Sequence, residues 1–241
     1  MVTALVMAGG VGVRMGSPTP KQFLLVAGKP VIIYTLEKLE KCDEIDAVLV
    51  VCVPDYRRFV EEQVEHFALK KVRWVTDGGD SFQESAKAGV VFLSRVLEDD
   101  DIVVMVMSVQ PLITADVISD SIRVCKAHGN AIAGAEPIYN ISPDEGGSST
   151  SYTLKNGQRT LNLPWTFPLK TLVRAYEEAE RRGVGLRSIE YTPTMMMDLG
   201  EKIYFSKDTS LNRIKLTTPD DVDLFEAYVQ FKGINSNTKE G

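Results

Sequence analysis

The stretch Thr3-Ala-Leu-Val-Met-Ala8, followed at once by Gly9-Gly10-Val-Gly-Val-Arg14-Met-Gly16, decides the fold of this chain. A short apolar run that ends in glycines is typical of a buried strand that turns directly into a ligand-binding loop. Further apolar runs of strand length follow at 47–53, 72–76, 102–109 and 131–136. Helical patterns separate these runs, so the sequence predicts an α/β fold, with a mostly parallel twisted sheet and helices on both faces in a Rossmann-like arrangement.

Composition and charge narrow the class of protein. The chain has 241 residues, of which 44% are hydrophobic and 25% charged, as expected for one soluble globular domain rather than a disordered or fibrous chain. We expect that domain to span residues 1–232 and the polar tail 233–241 to fray. The 27 basic and 33 acidic residues give a net charge of −6, which disfavours nucleic acid as a partner.

The cysteines and the apolar segments bear on the cellular compartment. Cys42, Cys52 and Cys125 are widely spaced and odd in number, so neither a disulfide framework nor a zinc site is indicated, and we expect all three to be buried. The opening run lacks the basic start and the length of a signal peptide, and no apolar stretch has the length of a membrane span. The sequence therefore predicts a cytoplasmic protein that does not bind a membrane.

Helix boundaries are marked by prolines, threonines and glycines. Pro30 and Pro54 stand where the first turn of a helix tolerates a missing N–H, and Thr114 is placed to begin a helix that ends near Gly129. The segment Thr217-Thr218-Pro219-Asp220-Asp221 predicts another helix, with Thr218 as its N-cap, proline in its first position and two carboxylates at the positive end of its dipole. We expect this closing helix to end at about Lys232.

The segment 140–162 interrupts the alternation of strands and helices. It is rich in serine, glycine and asparagine, and it contains Asn156-Gly157, a strong signal for a β-hairpin turn. One interpretation is a β-arm that protrudes from the α/β core and pairs with another subunit. The other is a disordered surface loop, and the composition favours neither.

The glycine-rich loop after the first strand is suited to phosphate, although it matches neither common nucleotide motif. Met15 stands where the third glycine of GxGxxG would be, and GxxxxGK[ST] is absent. Arg14 and Lys21 lie in this loop, where a guanidinium and an ammonium could together hold a triphosphate. Either residue alone is more simply a solvated surface charge, but their combination with the glycines favours a site.

The pattern AGGxGxRMGxxxPKQF at 8–23, followed by Gly28-Lys29-Pro30, resembles the signature of the 2-C-methyl-D-erythritol 4-phosphate cytidylyltransferase family, whose relatives include ribitol 5-phosphate cytidylyltransferases. The resemblance continues through Gly78-Gly79-Asp80 with Ser85, and through the segment Ile214 to Asp220. It implies an enzyme that transfers CMP from CTP to a small sugar or polyol phosphate and releases pyrophosphate. It also implies a homodimer formed by the arm, and Mg²⁺ or another divalent cation as cofactor.

The resemblance also assigns roles to particular residues. The arginine and lysine of the first loop and the lysine of the Ile-Lys-x-Thr motif stabilise triphosphate charge in the family, and the catalytic candidates are accordingly Arg14, Lys21 and Lys215. The nucleotide-binding candidates carried over by position are Ala8, Gly9, Gly10, Gly79, Asp80 and Ser85.

The chain departs from the family pattern in the half of the site that receives the acceptor. The family segment His-Asp-Ala-x-Arg-Pro, whose aspartate holds Mg²⁺, corresponds to Val106-Met-Ser-Val-Gln-Pro111 here, so that Met107 replaces the aspartate and Gln110 the arginine. A thioether is a poor ligand for a hard cation, and the metal ligands are therefore unknown, with Asp198 or Asp208 as relocated candidates.

Further departures lie on other segments. Phe82 replaces an arginine, Asn140-Ile141 replaces an Asp-Thr pair that meets the sugar phosphate across the dimer, and Leu163-Pro-Trp-Thr-Phe167 keeps only the proline and phenylalanine of its motif. These changes predict an altered acceptor. They leave open a weak or inactive nucleotide-binding paralogue, and also a dimeric interaction protein that uses the Met195-Met-Met197 run and Trp165 as a soft apolar surface, although packing in the core or a strand is the simpler interpretation of these residues.

Overall fold

The computed structural model describes residues 1–10, 19–144, 146–184 and 191–237. Its strands are β1 (Val2–Ala8), β2 (Leu25–Val26), β3 (Lys29–Pro30), β4 (Ala47–Cys52), β5 (Val72–Asp77), β6 (Ile102–Met107), β7 (Ala131–Ala135), β8 (Thr160–Pro168) and β9 (Phe205–Ser206). Its α-helices are α1 (Val31–Glu40), α2 (Arg57–His66), α3 (Phe82–Leu93), α4 (Ala115–His128), α5 (Leu169–Arg182), α6 (Thr192–Asp198) and α7 (Pro219–Asn237). Arg14 lies outside the described residues.

Seven of the strands form one sheet in the order β5-β4-β1-β6-β8-β7-β9. Strand β1 pairs in parallel with β4 on one side and β6 on the other, and β4 pairs in parallel with β5. Strand β8 runs antiparallel to both of its neighbours, β6 and β7. The prediction of a mostly parallel α/β sheet is therefore confirmed, and all five apolar runs form strands within it.

The sequence reading missed β8. Pro164 lies inside this strand, and proline is normally excluded from a paired strand because it has no N–H to donate. The pairing is interrupted at that point, since Ile132 pairs with Trp165 and the next residue, Ala133, pairs with Asn162. Proline is tolerated because it lies in this irregularity of the ladder.

Helices cover both faces of the sheet, as predicted. On one face Val90 of α3, Leu172 of α5 and Phe225 of α7 belong to a cluster with side chains of β1, β4 and β6. On the other face α1, α2 and α4 supply the cluster that contains Ile32, Val60 and Ile118. Both faces of the central strands are thus buried, which explains why those strands are continuously apolar.

The three cysteines are free thiols in the core, as expected. Burial, with a smaller contribution from the nearby carboxylate of Asp77, raises the pKa of Cys52 to about 12. Burial likewise raises the pKa of Cys125 to about 12. These thiols stay protonated at neutral pH and pack as small apolar side chains.

The connection from β7 to β8, residues 136–159, leaves the sheet and is largely exposed. In its described part, an isolated antiparallel bridge joins Ile141 to Thr153. The expected turn forms at Asn156-Gly157, where the Gln158 N–H donates to the Lys155 carbonyl oxygen at 3.0 Å and Gly157 has φ of +77°. The residues next to this turn do not form paired strands, and residues 160–162 of the predicted arm belong to β8.

The closing helix begins as predicted and ends later. Thr218 precedes α7, and its side-chain oxygen accepts from the Asp221 N–H at 3.4 Å. The helix continues to Asn237 instead of ending near Lys232, so the first five residues of the supposed tail, 233–237, are helical; residues 238–241 lie outside the described part of the chain. None of the helices in the described residues has the length and apolar character needed to cross a membrane.

At Gly89, helix α3 packs closely on the sheet. A Cβ at this position would lie 2.6 Å from Leu5 Cδ1 and 2.9 Å from Val51 Cγ2, both of which belong to buried residues. Gly89→Ala adds about 1 kcal/mol of helix propensity, but overpacking a core costs about 1–3 kcal/mol. We expect a net loss of roughly 1 kcal/mol in the free energy of unfolding, measured by urea denaturation.

Ala88→Gly in the same helix is the control, because it removes a side chain without creating a clash. It should lose about 1 kcal/mol through helix propensity alone. An increase in stability in Gly89→Ala would contradict the close packing at this position.

Asp221 caps the backbone at the start of α7, which makes stability depend on pH. Its Oδ2 accepts from the N–H groups of Thr217 and Thr218 at 2.7 and 2.8 Å. Burial raises the pKa of Asp221, but these hydrogen bonds and the charge of Lys21 outweigh it and hold the pKa below its ordinary value. The carboxylate therefore stabilises the fold above about pH 3.9, and this contribution is lost as the pH falls through the lowered pKa.

Asp221→Asn should consequently lower the free energy of unfolding by about 1 kcal/mol at pH 7 and flatten the loss of stability on acidification. Thermal unfolding between pH 7 and pH 3 measures both effects. Asp220→Asn is the matched control, because the adjacent Asp220 is exposed in the same helical turn. Identical pH profiles for Asp221→Asn and the unaltered protein would refute the capping role.

Candidate functional site

A cavity opens at the edge of the sheet where the parallel strands end. The carboxyl ends of β1, β4, β5 and β6 lie at this edge because these strands run in one direction. The cavity has a volume of about 460 Å³. In open α/β sheets this crevice is the usual place for a ligand. Its lining in the described part of the chain is Met7, Gly9, Gly10, Lys21, Gln22, Val53, Pro54, Gly78, Gly79, Asp80, Ser81, Phe82, Ser85, Met107, Ser108, Val109 and Lys215.

The hydroxyl of Ser85 brings together the loops that follow β1 and β5. Its Oγ accepts from the Gly79 N–H at 3.1 Å and lies 3.2 Å from the Gly79 carbonyl oxygen, to which it donates. A Cβ on Gly9 or on Gly78 would lie 2.6 Å from this same oxygen. Both positions therefore require glycine, because any side chain would displace the buried serine.

Gln22 fixes the backbone between β1 and the glycine-rich loop. This buried side chain donates from Nε2 to the carbonyl oxygens of Ala8 and Gly10, at 2.7 and 2.8 Å. Sequence reasoning gave Gln22 no role, although it is part of the PKQF segment that carried the resemblance. Its contacts explain why an amide is suited here, since one donor group serves two carbonyls.

Two lysines supply positive charge to the cavity. Lys21 and Lys215 are half-buried, and both line the cavity although they are far apart in the chain. Lys21 also lies close enough to Asp221 to lower the pKa of that carboxyl. Two ammonium groups beside glycine backbone suit a ligand with several phosphates.

Most of the predicted site residues lie together. Seven of them line the cavity: Gly9, Gly10, Lys21, Gly79, Asp80, Ser85 and Lys215. Ala8 lies at the end of β1, where Gln22 holds its carbonyl group. Arg14 belongs to residues 11–18, for which the structure gives no description.

An apolar wall faces these polar groups. Met107 ends β6 and is almost completely buried, and Met7 lies beside it on the paired strand β1. Phe82 lies at the start of α3, with its ring centroid 5.3 Å from that of Tyr191 and 5.8 Å from that of Trp165. The replacements noted in the sequence therefore change the surface of the cavity itself.

The described residues offer a magnesium ion one carboxylate on the cavity wall rather than a cage of several protein ligands. The carboxylate on the cavity wall is that of Asp80, and no group of three or more His, Cys, Asp or Glu side chains able to hold a metal occurs in the described part of the chain. Asp198 is exposed at the end of α6. The oxygens of Asp208 already accept hydrogen bonds from the side chains of Asn162 and Asn212.

A second cavity lies at the base of the exposed connection and has a volume of about 510 Å³. Asn140 and Ile141, the residues expected to face the acceptor across a dimer, line this cavity together with Asn162 and Arg213. Neither Asn140 nor Ile141 lines the first cavity. Within one chain, the described residues of the connection therefore do not line the cavity at the strand ends.

Comparison with known proteins gives relatives of similar length. The chain is 41% identical over 233 residues to the ribitol-5-phosphate cytidylyltransferase of Lacticaseibacillus paracasei, covering 96% of this chain and 99% of that protein. It is 32% identical over 234 residues to the 2-C-methyl-D-erythritol 4-phosphate cytidylyltransferase of Syntrophus aciditrophicus, covering 95% of this chain and 96% of that protein.

The fold is also that of solved structures. The crystal structure of 4-diphosphocytidyl-2C-methyl-D-erythritol synthase from Anaerococcus prevotii matches with a TM-score of 0.76 at 18% identity, covering 95% of this chain and 98% of that one. The profile of the 2-C-methyl-D-erythritol 4-phosphate cytidylyltransferase family matches residues 2–231. The chain belongs to this family.

Proposed function

We propose that this protein transfers CMP from CTP to the phosphate of a small polyol or sugar, with release of pyrophosphate. The observation that carries the proposal is the meeting of Lys21, Lys215 and the glycine backbone around Ser85 in one cavity at the strand ends. The names of the relatives support the same reaction.

In the proposed reaction an oxygen of the acceptor phosphate attacks the α-phosphorus of CTP. The new bond joins that oxygen to the α-phosphorus, and the bond from the α-phosphorus to the bridging oxygen of the β-phosphate breaks. The bonding electrons leave with pyrophosphate. Negative charge grows on the phosphate oxygens in the transition state, so fixed cations and N–H donors accelerate this step without a covalent intermediate.

Each group in the cavity then has a defined task. The ammonium groups of Lys21 and Lys215 stabilise the charge of the triphosphate and of the leaving pyrophosphate. The backbone at Gly9 and Gly10 approaches the phosphates closely, which their lack of a side chain permits. The segment around Gly79, Asp80 and Ser85 binds the cytidine, as the family resemblance implies.

We propose that the acceptor is a pentitol phosphate such as ribitol 5-phosphate rather than 2-C-methyl-D-erythritol 4-phosphate. The ribitol-5-phosphate enzyme of L. paracasei is the more similar of the two relatives described, at 41% against 32% identity. Phe82, Met107 and Gln110 replace charged residues of the methylerythritol phosphate pattern, and two of them line the cavity.

The acceptor is tested by the release of pyrophosphate from CTP with each of the two polyol phosphates. We expect kcat/KM for ribitol 5-phosphate to exceed that for 2-C-methyl-D-erythritol 4-phosphate by at least about tenfold, a difference of about 1.4 kcal/mol. Equal or faster turnover of the methylerythritol substrate would refute this acceptor. Selective CTP binding with no turnover of either acceptor would instead indicate the inactive paralogue.

The lysines are tested by truncation. Lys21→Ala and Lys215→Ala should each reduce kcat/KM for CTP by about a hundredfold, because a cation aimed at a reacting phosphate contributes about 3 kcal/mol. Lys170→Ala is the control, since Lys170 is exposed and paired with Asp100 away from the cavity. Unchanged kinetics in both cavity variants would remove the triphosphate assignment.

We further propose that the connection 136–159 joins two copies of the chain. Five large apolar side chains are exposed on it, at Ile138, Tyr139, Ile141, Tyr152 and Leu154. Such a patch is typical of an interaction surface. Since Asn140 and Ile141 do not line the first cavity of their own chain, a two-fold dimer offers a way for them to reach the acceptor bound by the partner.

Light scattering during size-exclusion chromatography tests the dimer. We expect twice the mass of one chain at micromolar concentration, and a monomer for Tyr139→Asp, which places a charge on the patch. Leu224→Asp is the matched control, because Leu224 is similarly exposed but lies on α7. A monomeric unaltered protein would refute the dimer.

A further inference from the structure

Gln110 is a buried side chain in the turn that follows β6. Its Oε1 accepts from the Met107 N–H at 3.2 Å, and its Nε2 donates to the carbonyl oxygen of Asn212 at 3.3 Å. Because Gln110 is only 3% exposed, water does not compete for either group. This amide therefore joins the end of β6 to a segment 102 residues away.

A second hydrogen bond joins the same two segments. The Leu216 N–H donates to the Val109 carbonyl oxygen at 3.0 Å. Lys215 lies between Asn212 and Leu216, and it lines the cavity together with Val109. The backbone on both sides of Lys215 is thus attached to the turn after β6.

The same segment is anchored to β8 through a buried carboxylate. Asn212 Nδ2 donates to Asp208 Oδ1 and to the Leu163 carbonyl oxygen, both at 2.6 Å. Asn162 of β8 donates to Asp208 Oδ2 at 2.7 Å. These contacts hold the residues before Lys215 against β8, whereas the side chain of Gln110 attaches them to the turn after β6.

Gln110 bridges the Met107 N–H and the Asn212 carbonyl oxygen, and the chemistry of these two groups explains why a glutamine is suited to this position. One group is a donor and the other an acceptor, and an uncharged amide side chain satisfies both at once. A methionine of similar size would satisfy neither. A glutamate could accept from Met107 but would place a second acceptor against the Asn212 carbonyl oxygen.

We propose that Gln110 is a positioning residue that directs Lys215 into the cavity. It does not touch the substrates in this account, and it acts through the backbone of residues 212–216. The effect of Gln110 on turnover rests on the proposed function. The mechanical link between the turn after β6 and residues 212–216 does not.

Hydrogen exchange tests the mechanical link without any substrate. In Gln110→Met, mass spectrometry should find faster amide exchange in a peptide covering 208–216 than in the unaltered protein. Asn130→Leu is the matched control, because Asn130 is also a buried amide that bridges two backbone groups, the Tyr204 N–H and the Lys202 carbonyl oxygen. Unchanged exchange of 208–216 in Gln110→Met would overturn the proposal.

Steady-state kinetics test the consequence for turnover. Gln110→Met should lower kcat by about tenfold to a hundredfold with a smaller change in KM. The reason is that moving the ammonium group of Lys215 by about 1 Å from its productive position lowers the rate by a factor of this order. In a Lys215→Ala background the same substitution should have little further effect, as expected for residues that act through one another. Asn130→Leu should leave kcat unchanged.

Failure of the positioning role can be distinguished from failure of the proposed function. Full additivity of Gln110→Met and Lys215→Ala would overturn the positioning role while leaving the proposed reaction intact. An unaltered protein that turns over no acceptor would refute the proposed function, and the exchange experiment would still decide whether Gln110 holds the segment.

Discussion

The parallel pairing of β1 with both β4 and β6 is the constraint on which the rest of the structure depends. It places the ends of β1, β4 and β6 at one edge of the sheet, while the helices on either side bury both faces of β1. The loops that leave these strands must then share one crevice. The hydroxyl of Ser85 lies where the loop after β1 meets the loop after β5, and it leaves no room for a side chain at Gly9 or Gly78.

The electrostatics of the cavity follow from the charged side chains on the loops that line it. Lys21 enters from the loop after β1, and Lys215 from the segment before α7. Apolar Met107 and Phe82 occupy the wall where the family pattern has an aspartate and an arginine. The cavity therefore meets an anionic ligand mainly with ammonium groups and backbone, and this distribution suits the nucleotide half of the reaction more directly than the acceptor half.

The sequence allowed the sheet and most of the residues that line the cavity to be predicted, because both depend on local patterns. Continuous apolar runs identified the central strands, and collinear motifs identified the cavity residues. Strand β8 does carry an alternating pattern, since Leu161, Leu163, Trp165 and Phe167 alternate with other residues, but a proline within such a run normally counts against a strand. The contacts of Gln22 and Gln110 could not be predicted, because a side chain that bonds to distant backbone leaves no periodic signal. Asn156-Gly157 predicted a turn correctly, but a turn does not establish that its flanking residues pair.

The central claim is that the cavity at the strand ends binds a cytidine triphosphate. Calorimetric titration of the purified protein with CTP, in the presence and absence of Mg²⁺ and with ATP, GTP and UTP as controls, tests it most directly. The account predicts one binding site per chain with a clear preference for CTP. Absence of binding to every triphosphate would contradict it.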